Sequence, residues 1–229
     1  MIGSTVFLII VAILVYLILK FIKKVAAIIL SFVIMFILIT SMLLFLVYVD
    51  YMDFKTGITE KDSIMLLSDG QNYIAGSYIN LTTKNILNGT KYIEDIELFN
   101  AQGYKEILGD NYKLFIIDLS FYEQNLPLSV NYKNYSLQRN GIINTLRSKD
   151  PKHEFAALVN EPVESIAGKP NELKLELALG ALDYLIKNKG GIIIIEGYKS
   201  KQILVYKDTM LFKLVRLLPN TYIKRYIIN

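Results

Sequence analysis

Asp118, His153 and Glu154 are the side chains of this sequence whose types and neighbours could do acid–base or metal chemistry. Asp118 follows the apolar run Leu114-Phe115-Ile116-Ile117, and a carboxylate at the end of a buried strand can serve as a nucleophile or a metal ligand. No second acidic residue follows it at a diagnostic spacing, so the plainer role is a partly exposed carboxylate near a strand end. His153-Glu154, with Glu161 and Glu164 downstream, is the one place where an imidazole and several carboxylates lie close in sequence. The histidine could act as general base with a carboxylate orienting it, or the group could ligate a metal. It is not a metalloprotease signature, which needs a second histidine one helical turn away. A solvated polar loop is the competing role. Gly168-Lys169, Gly190-Gly191 and Gly197 make no complete phosphate-binding fingerprint and read as turns and a helix stop, and Ser165 and Ser200 stand in no nucleophile motif.

Composition narrows the chemistry further. The chain of 229 residues has no cysteine and a single histidine, which removes disulfides, thiolate zinc sites, cysteine nucleophiles and any site built on several imidazoles. A bound metal would need mainly oxygen ligands, and no cofactor is expected. Of the 25 Lys+Arg, Lys20, Lys23 and Lys24 stand together near the N-terminus, leaving 22 against all 21 Asp+Glu in residues 50–229. That near-neutral balance lacks the basic excess on which phosphate binding depends, so nucleic acid is not an expected partner.

The elements that must position these residues begin with an anchor. The mean hydropathy of +0.37 is high for a water-soluble domain, and the excess sits in two uncharged runs, Met1 to Leu19 and Val25 to Val49, separated by Lys20-Phe21-Ile22-Lys23-Lys24. At about 1.5 Å per residue the runs are roughly 28 and 37 Å long, enough to cross a hydrocarbon core of about 30 Å. The pattern predicts a transmembrane hairpin over residues 1–50, with spans at about 2–19 and 25–49. The linker has no Gly, Pro, Asn or Asp, however, and its lysines fall on one side of an uninterrupted helix, so one continuous helix is the alternative. The positive charge follows the first apolar run rather than preceding it, unlike a cleavable signal peptide. Lys20, Lys23 and Lys24 should stay cytoplasmic and set the topology, placing the rest of the chain on the extracytoplasmic side. Sequons at Asn80, Asn88 and Asn134 are compatible with that location.

Residues 51–62 read as a juxtamembrane linker and 63–229 as one α+β domain with a largely antiparallel sheet and packed helices. Ser63–Leu67 and Tyr73–Ile79 around Asp69-Gly70 form the clearest hairpin. A helix over Ile93–Leu108, a strand over Lys113–Phe121 and a helix over Leu137–Arg147 follow. A long helix is expected to begin after Pro170-Asn171, with Asn171 as its cap, and to run to about Asn188, where Gly190-Gly191 stops it. Ile192–Glu196 and Gln202–Tyr206 read as a second hairpin, and Met210–Leu218 as a last helix capped by Asp208. Residues 122–136 and 148–170 are read as the long irregular connections. The apolar face of the last helix, flanked by Lys213 and Arg216 and followed by Lys224 and Arg225, could rest on anionic headgroups or simply cover the sheet.

The segment Asp62 to Ile79, set after a transmembrane helix and an acidic juncture, resembles the start of the outer domain in uncharacterised membrane-anchored proteins of small-genome archaea. The resemblance implies a membrane setting and an archaeal source; it carries no catalytic motif and no functional residue. The sequence thus leads to a membrane-anchored extracytoplasmic binding or assembly module, with the lipid bilayer and an envelope or membrane protein as partners. The alternatives are an envelope hydrolase or transferase using carboxylates, with or without a divalent cation, and a cytoplasm-facing scaffold.

Overall fold

A run of Ile, Leu, Val and Phe without proline has every reason to be helical once its side chains leave water. In the computed structural model, which describes residues 2–79, 91–94 and 96–223, it forms one α-helix, α1 (Ile2–Glu60, 59 residues). The hairpin expected at Lys20–Lys24 is not formed. Reversing the chain requires residues to leave the helical region, and this linker has none of the Gly, Pro, Asn or Asp that do so cheaply. The 51–62 linker is likewise helical as far as Glu60. At about 1.5 Å per residue α1 is about 88 Å long. No side chain from Ile13 to Val49 is buried, and the helix is long and apolar enough to cross a membrane. Residues 1–49 form one compact unit and 50–229 another.

In the second unit, β1 (Ser63–Ser68) and β2 (Tyr73–Ile79) form the expected antiparallel hairpin. Its turn is fixed by the Asp69 carboxylate, which accepts from the backbone N–H of Gln71 at 3.0 Å and of Asn72 at 2.8 Å, while Gly70 takes φ +93°. β3 (Lys91–Tyr92) adds to β2, β4 (Leu114–Asp118) runs parallel to β1, and β7 (Ile203–Tyr206) closes the far edge antiparallel to β4. The order β3-β2-β1-β4-β7 makes the sheet antiparallel except at its central β1–β4 pair. Alternation along the central strands serves two cores. Met65, Leu67 and Ile117 face the helical layer, whereas Ile64, Leu66, Leu114 and Ile116 face Ile93, Ile96, Ile107 and Leu108.

Elsewhere the predicted segments shift. The Ile93–Leu108 helix is split at Gln102-Gly103 into a 3-10 helix (Ile96–Ala101) and α2 (Tyr104–Leu108). The Lys113–Phe121 strand stops at Asp118, where α3 (Leu119–Asn125) starts. The supposedly irregular 122–136 contains a hairpin, β5 (Ser129–Tyr132) and β6 (Tyr135–Gln138), ahead of α4 (Arg139–Arg147). Residues 148–170 contain α5 (Pro151–Val159) and a short 3-10 helix (Val163–Ser165). The long helix α6 (Pro170–Lys189) has Lys169, not Asn171, at its N-cap: the Lys169 N–H donates to Glu172 at 2.9 Å, while Asn171 turns to the Glu94 carbonyl.

The second hairpin is a helix and a strand. Ile192–Lys199 is α7, with Ile192, Ile193, Gly197 and Tyr198 buried, a helical spacing rather than strand alternation. β-branched residues favour strands, but here Gly197 lets the helix approach Phe121 and Ile203 where any Cβ would collide. The chain then enters α8 (Met210–Leu217) and α9 (Asn220–Ile223).

Candidate functional site

The residues marked as chemical candidates are employed in local structure. Asp118 ends β4 and caps α3, its carboxylate accepting from the Ser120 N–H at 2.9 Å. His153 and Glu154 occupy the exposed first turn of α5, where the His153 N–H donates to the capping Asp150. Glu161 accepts from the Tyr135 hydroxyl at 2.5 Å and from Ser165 at 3.0 Å, and these bonds hold its carboxyl below the usual range. Among the described residues no hydrogen bond or ion pair joins Asp118, His153 and Glu154, and no group of three His, Asp or Glu is arranged to hold a metal. Gly168 and Gly190 take positive φ, at the start and stop of α6.

Two other places concentrate polar chemistry. The first lies where the end of α1 meets the domain. Asp50, Asp53, Phe54 and Gly57 share one helical face, since they recur at spacings of three, one and three. The Asp50 carboxylate accepts from the Leu211 N–H at 3.1 Å. That N–H sits two residues past Thr209, the N-cap of α8, whose own hydroxyl is buried without a partner among the described residues. Asp50 therefore supplies the cap that Thr209 does not. Asp53 accepts from Tyr112 at 2.9 Å, Phe54 meets Phe212 edge-on at 5.3 Å, and Gly57 lies against the Tyr112 ring, where a Cβ has no room. Burial, reinforced by the bond to Asp53, pushes the Tyr112 hydroxyl well above its ordinary value. Lys113 is 2 % exposed; its ammonium donates to the Lys207 carbonyl at 2.8 Å and faces the rings of Tyr112 and Phe212. Burial lowers its pKa, against the pull of Asp53 and Asp50.

On α8 itself, Met210, Leu214 and Leu217 recur at helical spacing and stay exposed, Leu217 to 81 %. Lys213 is exposed beside them. Arg216, though exposed, folds back over Tyr198: it stacks on the ring at 4.7 Å, donates to the hydroxyl at 2.9 Å and approaches Asp208 at 3.5 Å. Asp208, expected to cap α8, instead accepts from Tyr198, whose hydroxyl is pushed up to about 12, by burial first and then by that bond. Lys224 and Arg225 lie outside the described residues, as do the sequons at Asn80 and Asn88; Asn134 sits in the β5–β6 turn.

The second place is a cleft of about 1010 Å³. It is bordered by the β1–β2 turn (Asp69, Asn72), the 3-10 segment, the end of α4 (Arg147, Lys149) and the start of α6 (Asn171, Lys174). Arg147 pairs with Glu123 at 2.5 Å, and Glu94 is paired with Lys169. Burial raises the Asp69 pKa, but the N–H groups of Asn72 and Gln71 outweigh it and the net shift is downward. Burial lowers the pKa of Lys174, against the nearby negative charge of Asp69.

No protein-family model, curated protein or solved structure matches this chain. Its chemistry is therefore read from these residues alone. Neither place carries a local signal in the sequence: Asp50 and Asp53 share a face only if α1 continues, and nothing beside Lys174 in the chain marks it as buried.

Proposed function

We propose that the protein is a membrane-anchored binding or assembly module that holds its α+β domain against the extracytoplasmic face of the bilayer to organise an envelope protein complex. The observation that carries this reading is the Asp50 cap. Asp50 directly follows the apolar stretch ending at Val49, so the start of α8, which it caps, stands at the boundary between lipid and water. The exposed Met210, Leu214 and Leu217, with Lys213 alongside, then meet headgroups, a suitable setting for an amphipathic helix.

The side of the membrane follows from Lys20, Lys23 and Lys24. With Ile2–Glu60 one helix, keeping these lysines cytoplasmic puts Asp50 and the domain outside. A binding role is favoured over a hydrolase because Asp118 serves as a helix cap and His153 and Glu154 stand apart on an exposed turn. The uncharged stretch before Lys20 is a natural contact for a membrane-protein partner, with Ala26, Ala27 and Ser31 beyond the lysines small enough for close helix approach; the Ser31 hydroxyl is already bonded to the Ala27 carbonyl at 2.9 Å.

Protease treatment of intact cells carrying a tag after Asn229 tests the topology. External protease should remove the tag while a cytoplasmic control survives. A tag protected until the membrane is broken would overturn the extracytoplasmic assignment and favour a cytoplasm-facing scaffold.

A further inference from the structure

The inner face of α6 is apolar except at one position. Lys174, Ala178, Ala181 and Leu185 recur at spacings of four, three and four, so they stack along one stripe, and all four are buried. Lysine is the exception in that row. It is 7 % exposed, yet among the described residues its ammonium makes no hydrogen bond and no ion pair. The Asp69 carboxylate is close enough to act on it electrostatically, but does not pair with it and is occupied by the N–H groups of Gln71 and Asn72. A lysine side chain covered to this extent without a counter-ion at its ammonium is costly.

Lys174 borders the cleft described above, among side chains of both signs. It lies near the start of the 20-residue α6, whose N-terminus carries the positive end of the helix dipole. Lys149 and Arg147 border the same cleft from the end of α4, and Asn72 and Asn171 add amide groups. Asp69, Glu94 and Glu97 also line it, which disfavours an extended polyanion and suits a small one.

We propose that this cleft binds a small soluble anion bearing a phosphate or carboxylate group, with the Lys174 ammonium as its central contact. The anion supplies the counter-ion that the described residues do not. This site is separate from the membrane-facing α8, so its test does not depend on which side of the membrane the domain occupies.

The experiment uses the full chain in phosphatidylcholine nanodiscs, heated with sodium phosphate, sodium succinate or sodium chloride at matched ionic strength, wild type beside Lys174→Met. Phosphate or succinate should raise the wild-type melting temperature above the chloride value, and the increment should vanish in the variant. The anion with the larger increment identifies the class. Equal increments in both proteins, or none beyond chloride in the wild type, would overturn the proposal. Competitive acetylation of the wild type covers a variant that fails to fold. At ten times the dissociation constant the anion should cut labelling of Lys174 about tenfold and leave exposed Lys105 unchanged. Undiminished labelling of Lys174 would also overturn the site.

Discussion

Tyr122 is wholly buried, edge-on to Phe121 at 5.4 Å, and its hydroxyl has no partner among the described residues. An unpaired buried hydroxyl costs free energy that its phenyl counterpart does not. Tyr122→Phe should therefore raise stability by about 1 kcal/mol, seen as a higher urea midpoint with an unchanged slope; a lower midpoint would mean that the hydroxyl is satisfied in solution. At this scale the sequence was a poor guide. Asp118, His153 and Glu154 were conspicuous because of their neighbours in the chain, and folding set them to capping and to exposed turns. Lys174 and Asp50 were inconspicuous because their importance comes from what is missing around one and from a helix end far along the chain from the other.

Among the elements, α8 depends on a residue outside it. Asp50→Ala should remove its cap and lower stability by about 1 kcal/mol, while Asp50→Asn, which keeps an acceptor oxygen, should lose less. Hydrogen exchange at the Leu211 amide reports this directly, and unchanged protection in the alanine variant would show that the bond contributes nothing. The β1–β2 hairpin and α6 were legible in advance, since a turn with Asp-Gly and a leucine-rich stretch between Pro170 and Gly190 are local signals. α7 was not. A run of isoleucines favours a strand by local preference, and what overrides it is Gly197 packing against Phe121 and Ile203, a tertiary contact that no window of sequence contains. The N-terminal helix was legible as apolar length, and its continuity was the alternative to a hairpin, since the linker lacks Gly, Pro, Asn and Asp and its lysines lie on one side of an unbroken helix.

For the whole domain, alkaline pH is the informative variable. Tyr73, Tyr92, Tyr112, Tyr122, Tyr132, Tyr135 and Tyr198 all have pKa values raised above the ordinary 10.0, and burial is the leading cause for all but Tyr135, where the bond to Glu161 leads. A raised folded pKa means that the folded state keeps protons the unfolded chain has released. The stability they contribute is complete below pH 10.0 and is lost as pH climbs through the folded values. Lys113 and Lys174 act in the opposite sense, since their lowered pKa values favour folding as pH rises toward 10.5. With the tyrosines more numerous, the urea midpoint should fall once pH passes 10.0. A midpoint that keeps rising there would show the lysines to dominate.

The bond between Asp50 and Leu211 spans 161 positions of the chain, and β7, which completes the sheet, also comes late. At synthesis rates of about 5–20 residues per second, roughly 10–30 s separate the emergence of Asp50 from that of its partner. Through that interval the anchor is already made while the surface it joins does not exist. Tyr112 can meet Asp53 well before then, but Asp50 and Phe54 stay unmatched until Leu211 and Phe212 of α8 are made. Completion of the domain is thereby tied to α8: a nascent chain stalled before Met210 has a long apolar helix whose Asp50 and Phe54 lack their partners.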